Sequence, residues 1–121
     1  MAEFRVLLVD DEEELVTTLV ERLQYRGIDA AYSLNGATAI QEMREKEYDV
    51  VILDLKLPGI SGLETMRVIK KEHPDTPIIL ITGHGSPLNM EDIPRGAFDY
   101  LPKPIDLDIL VKKMREAVES K

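Results

Sequence analysis

VVILDLKLPG, residues 50–59, decides how the chain is read. Val50, Val51, Ile52 and Leu53 form an unbroken apolar run that ends in an acid, Asp54, and a Pro58-Gly59 turn follows. A run apolar on both faces suits a strand covered on both sides, as strands of parallel sheets are. A carboxylate at its end costs free energy unless something there needs it. The pattern recurs along the chain. Val6–Val9 runs into Asp10 and Asp11, and Ile78–Ile81 runs into Thr82. Weaker strand candidates lie at Ile28–Tyr32 and Ala97–Leu101, the second followed closely by Lys103.

Helical spacing fills the intervals. Leu15, Leu19 and Leu23 recur every four residues, with Val16 and Val20 beside them, and Leu107, Leu110, Val111, Met114 and Val118 mark one face of a C-terminal helix. Ala37–Met43 and Leu63–Ile69 carry the same period, and Pro74 and Pro77 close the third helix. Five strand–helix alternations predict an α/β fold, a parallel sheet with helices on both faces. No repeat, low-complexity tract or linker interrupts the 121 residues, which are read as one domain, 1–121.

Composition narrows the function. With no cysteine, disulfides, thiolate zinc sites and cysteine nucleophiles are excluded. His73 and His84 have no metal-ligand spacing and are read as surface residues. No apolar run approaches the ~20 residues of a membrane helix, and the N-terminus lacks the pattern of a signal peptide, so the expected setting is the cytoplasm. A formal charge of −8 argues against direct nucleic-acid binding, which needs clustered Lys and Arg.

In a parallel sheet all strand C-termini share one edge, and ligands bind there where strand order reverses. Asp10, Asp11, Asp54, Thr82 and Lys103 therefore converge on one crevice. Carboxylates about 5 Å apart repel by roughly 3 kcal/mol per pair at an effective dielectric of ~20. A hard divalent cation with oxygen ligands, Mg²⁺ or Mn²⁺, relieves that repulsion. An aspartate is also a competent nucleophile toward phosphorus, and lysine and hydroxyl groups suit the remaining phosphoryl oxygens. Asp54 is thus the candidate acceptor of a phosphoryl group. Taken singly, each residue has a plainer role. Acids of the run Asp10–Glu14 favour a helix N-terminus, which accounts for part of Glu12–Glu14. Asp54 alone could end a strand, Thr82 could cap a turn, and Tyr100 could be a core aromatic.

Together, Asp10-Asp11, Asp54, Thr82 and Lys103-Pro104, with the phrases VLLVDDE, DLKLPGISGLE, LITGHG and AFDYLPKP, resemble the receiver domain of two-component response regulators. The resemblance spans nearly the whole chain. It implies a flavodoxin-like, doubly wound five-stranded sheet of order 2-1-3-4-5 with five helices. It implies phosphorylation of Asp54 by a sensor histidine kinase, a phosphotransfer protein or a small donor such as acetyl phosphate. Asp11 and Asp54 would hold Mg²⁺ through their side chains, the Lys56 backbone carbonyl would be a third ligand, and Asp10 would act through a coordinated water. Thr82 and Lys103 would grip the phosphoryl oxygens, and Gly83 would leave room for the group. Thr82 and Tyr100 would relay the switch to an effector domain or target protein. Lys56 and His84 match positions that modulate phosphoryl loss, and Lys103-Pro104 would be cis.

The stretch GSPLNMEDIPRGAFDY departs from the family pattern. Pro87 and Pro94 stand where a full fourth helix is usual, and a helix-interior proline costs about 3 kcal/mol. The segment 86–95 is therefore expected to form a short or irregular helix, within the region that serves the family as output and dimer surface. Three functional classes follow: a phosphoacceptor switch that catalyses only its own phosphorylation and slow dephosphorylation, a phosphohydrolase, and a receiver-shaped interaction module without the chemistry. Lys56 stands where such a hydrolase would need a second acid, which counts against the second class. Flavin binding would need a Ser/Thr/Gly-rich loop after the first strand, where this chain has acids.

Overall fold

The apolar run at residue 50 is the central strand. The computed structural model describes residues 3–83 and 95–120. It places β3 (Val50–Asp54) in the middle of a five-stranded parallel sheet, flanked by β1 (Arg5–Val9) and β4 (Ile78–Thr82). The edges are β2 (Asp29–Ser33) and β5 (Asp99–Pro102), giving the order β2-β1-β3-β4-β5. β3 is in register with β1 through Val6↔Val50 to Val9↔Leu53, and with β4 through Val51↔Ile78 to Asp54↔Ile81. The expected doubly wound, flavodoxin-like sheet is the one observed.

Alternation within each apolar run explains its lack of polar positions. Val6, Leu8, Val50, Ile52, Ile79 and Ile81 face α1 (Glu13–Tyr25) and α4 (Leu107–Glu119), packing on Val16, Leu19, Leu23, Leu110, Val111 and Met114. Leu7, Val9, Val51, Leu53, Ile78 and Leu80 face α2 (Gly36–Glu45) and α3 (Gly62–Glu72), packing on Ala39, Met43, Met66 and Ile69. Each such large aliphatic side chain contributes about 1.5–3 kcal/mol on burial, so neither face of the central strands has room for a polar residue until the strand ends.

Helix starts follow from local chemistry at three of the four helices described. Asn35 caps α2 by accepting from the Thr38 N–H, Ser61 caps α3 by accepting from Glu64, and Asp106 caps α4 by accepting from Ile109. α1 differs, since its N-cap, Glu12, makes no side-chain capping bond.

The strong strands lie where the apolar runs predict them. The two edge strands are displaced: β2 begins at Asp29 and ends at Ser33, and β5 begins at Asp99 and ends at Pro102, leaving Ala97 and Phe98 ahead of it. An edge strand pairs on one side only, so its limits follow the neighbour's register more than its own hydrophobicity. His73 is half-buried at the C-cap of α3, not on the surface. The segment 86–95, apart from Arg95, lies outside the described residues, as does His84. Among the described residues no helix is long and apolar enough to cross a membrane.

Candidate functional site

Strand order reverses between β1 and β3, and the acids sit at that reversal. Asp10 follows β1 and Asp54 ends β3. Both are almost wholly buried, at 2% and 4% exposure. Asp54 is fixed from two directions: its Oδ1 accepts the Lys56 N–H at 3.0 Å, and its Oδ2 accepts from Lys103 Nζ at 3.0 Å. Lys103 follows β5 and is held at its backbone by the 2.8 Å hydrogen bond from its N–H to the Thr82 carbonyl. The Lys103-Pro104 bond is cis, as the resemblance implies.

Lys103 Nζ also lies 3.0 Å from Asp10 Oδ2 and 2.5 Å from Glu12 Oε1. Glu12 and Asp54 accept hydrogen bonds from it. The approach to Asp10 Oδ2 is an ion contact off the angle of a hydrogen bond, so that buried oxygen has no hydrogen-bond partner. The other Asp10 oxygen accepts the Glu12 N–H at 2.9 Å. Burial pushes the Asp10 carboxyl above the usual aspartate range, aided by the nearby Asp54 charge and opposed by Glu12 N–H and Lys103. Burial alone would lower the Lys103 pKa, but contacts with Glu12, Asp10 and Asp54 outweigh it and hold the ammonium above the ordinary lysine value.

Oxygens of Asp10, Glu12 and Asp54 lie within 4.8 Å of one another. Three carboxylates against one ammonium leave the cluster negative. An all-oxygen donor set of this kind, with one buried oxygen lacking a hydrogen bond, fits a hard divalent cation. The surrounding cleft is lined by Asp11, Glu12, Asp54, Leu55, Lys56, Leu57, Pro58, Gly83 and Lys103.

Asp10, Asp54 and Lys103 are therefore brought together as the sequence predicts, with Lys56 and Gly83 beside them. Asp11 lines the cleft but is exposed, and its carboxylate is outside the close group of three. Thr82 is buried at the end of β4, next to Gly83. Tyr100 is half-buried on β5 and packs against the core beneath α2 and α3. Glu12 is the member that sequence reading assigned to helix-terminal acidity. The available signal was its place two residues after Asp10, at the first turn leaving β1. Gly62 is another. A Cβ on it would lie 2.3 Å from the Asp54 carbonyl oxygen and 2.6 Å from Leu55 Cα, so only glycine lets α3 start this close behind Asp54.

A doubly wound sheet with two buried aspartates and a lysine gathered at its switch point defines a class of phosphoryl-handling α/β domains. The comparisons with known proteins agree. The family model for the response regulator receiver domain matches residues 6–115, and the chain belongs to that family. It is 38% identical over 120 residues to the C4-dicarboxylate transport transcriptional regulatory protein DctD of Pseudomonas aeruginosa, covering 98% of this chain and 26% of that protein. Over 119 residues it is 35% identical to the transcriptional regulatory protein YkoG of Bacillus subtilis, covering 98% of this chain and 52% of YkoG. The receiver domain of the Francisella response regulator 1452 superposes with a TM-score of 0.87 at 25% identity, with 98% of each chain covered. The chain thus spans about half of YkoG and about a quarter of DctD.

Proposed function

We propose that the chain, as a single receiver domain over residues 1–121, is a phosphoacceptor switch of two-component signalling, with Asp54 as the acceptor. The observation that carries this is the 3.0 Å contact between Lys103 Nζ and Asp54 Oδ2, beside a buried Asp10 one of whose carboxylate oxygens has no hydrogen-bond partner. An Asp54 carboxylate oxygen attacks phosphorus, and the bond from phosphorus to the donor's nitrogen or oxygen breaks as the P–O bond to Asp54 forms. The leaving imidazole of a phosphohistidine, or acetate from acetyl phosphate, departs with that bond's electron pair. Lys103, already aimed at Asp54, turns one ammonium proton to a phosphoryl oxygen, and the Thr82 hydroxyl donates to a second phosphoryl oxygen.

The cation-binding residues proposed are Asp10, Asp11, Asp54 and the Lys56 carbonyl. Mg²⁺, or Mn²⁺, supplies charge neutralisation for the acids and the phosphoryl oxygens when bound. Phosphorylation replaces about one negative charge by about two. The added charge draws Thr82 inward, and Tyr100 on the neighbouring strand follows as the second element of the switch. The donor is a sensor histidine kinase or phosphotransfer protein in the cytoplasm. The receiver of the signal is an effector domain or a target protein.

The test is intact mass after incubation with acetyl phosphate, with and without Mg²⁺, on the wild type and on Asp54→Ala. One added phosphoryl group that needs both Mg²⁺ and Asp54 supports the reading. If neither acetyl phosphate nor a phosphorylated kinase modifies the folded protein, the chain is a receiver-shaped interaction module instead.

A further inference from the structure

Glu12 breaks a local rule. It occupies the N-cap of α1, where Asp, Asn, Ser or Thr would bond the helix N–H groups, and it makes no such bond. Asn35, Ser61 and Asp106 make that bond at the other helices described. The Glu12 side chain instead turns to Lys103, 2.5 Å away, although it is itself 60% exposed. A position that gives up a cap to make a distant contact is more informative than one that satisfies both.

An ammonium has three protons to donate. In the resting protein two go to Glu12 and Asp54, and Asp10 Oδ2 lies at the same distance as Asp54. A phosphoryl group on Asp54 brings three further acceptor oxygens to this one ammonium. One existing partner then has to give way. Asp10 is buried and cannot be rehydrated cheaply, whereas Glu12 lies at the solvent edge and can exchange the lysine for water.

We propose that Glu12 is a positioning residue that holds Lys103 in the resting site and must release it when a phosphoryl group arrives, so that it brakes phosphorylation. The proposal rests on Asp54 being the phosphoacceptor. The brake acts through the contact with Lys103. Glu12→Asp keeps the charge but shortens the arm by one methylene, and should release the brake much as Glu12→Gln does. Simple repulsion of an anionic donor would leave Glu12→Asp like the wild type.

Two readouts on the intact chain decide it. The first is the rate of phosphorylation by acetyl phosphate in Mg²⁺, followed by intact mass. Both variants are expected to react up to about fivefold faster, the range an exposed ion pair supplies. The second is proton exchange of the Lys103 ammonium by ¹⁵N NMR without donor, with the signal assigned by its loss in Lys103→Arg. Exchange should quicken in both variants. Unchanged rates, or acceleration in Glu12→Gln alone, overturns the proposal while leaving Asp54 phosphorylation intact. If the wild type accepts no phosphoryl group from either donor class, the phosphoacceptor reading falls and the brake falls with it. The ammonium signal then still shows whether Glu12 holds Lys103.

Discussion

Lys103 Nζ stands 3.0 Å from Asp54 Oδ2, tying the residue after β5 to the end of β3. With Asp10 and Asp54 both buried, the lysine is the internal countercharge of an otherwise acidic cluster. Lys103→Met should therefore destabilise the metal-free protein by about 1–3 kcal/mol, somewhat less than the loss of one partner from a fully buried pair. Urea unfolding in EDTA measures this. Repeating it in Mg²⁺ should recover more stability for the variant than for the wild type, because a cation can replace the lost ammonium. Equal recovery would mean that the cation and Lys103 do not share these carboxylates.

Cation binding itself has a stability signature that needs no phosphoryl donor. A ligand that binds only the folded state at ten times its dissociation constant stabilises by about 1.4 kcal/mol. Thermal melts of the wild type should rise on adding Mg²⁺ and return on adding EDTA. Asp54→Asn removes one of the carboxylates proposed to hold the cation and should lose most of that rise. A full Mg²⁺ response in Asp54→Asn would place the cation elsewhere on this acidic chain.

Gly62 offers a test of how Asp54 is positioned. The Gly62 N–H donates to the Leu55 carbonyl at 3.2 Å, and an added Cβ would meet backbone atoms at 2.3 and 2.6 Å. Backbone cannot rotate away as a flexible side chain can. Gly62→Ala should therefore cost about 1–3 kcal/mol, the usual range for overpacking a filled site. It should also slow phosphorylation by moving Asp54 relative to Lys103. Loss of stability with an unchanged phosphorylation rate would show that the loop adjusts without disturbing the acceptor.

Away from the cleft, Arg44 on α2 makes two hydrogen bonds to Glu72 on α3, at 2.8 and 2.6 Å. The Arg44 guanidinium holds the Glu72 carboxyl below its ordinary value of 4.5. A depressed acid contributes stability above its unfolded pKa and loses it as pH falls through the folded one. The gap in urea midpoint between wild type and Arg44→Ala should be present at pH 7 and close as pH drops below about 4, near the unperturbed glutamate value. A gap that does not narrow at all as the pH falls would assign the effect to packing of the arginine stem.

Most of the fold was legible because β1, β3 and β4 are covered on both faces, so hydrophobicity alone marks them. β2 and β5 were placed one or two residues off because an edge strand takes its limits from its neighbour's register. Asp10, Asp54 and Lys103 were legible because strand C-termini share one edge whatever lies between them. Glu12 was not, since helix-terminal acidity explained it equally well and its partner lies 91 residues away. Nor does local sequence reveal which way an exposed side chain at a helix start turns. Gly62 carries no local signal either, because its close approach to the Asp54 carbonyl depends on how α3 returns against β3.

Glu12 also predicts a trade of function for stability. Serine at an N-cap accepts from the N–H groups of the first turn and is worth about 0.5–2 kcal/mol over a residue that does not cap. Glu12→Ser should supply that bond to α1 and reduce the repulsion among Asp10, Glu12 and Asp54. Against this stands one exposed ion pair with Lys103, of a kind worth about 0–1 kcal/mol. The variant should therefore be more stable than the wild type by about 0.5–1 kcal/mol in metal-free buffer, read by urea unfolding at pH 7. A destabilised variant would show that the Glu12–Lys103 contact is worth more than a cap. In that case Glu12 would be in place for stability, and the cost of the missing cap would need no functional explanation.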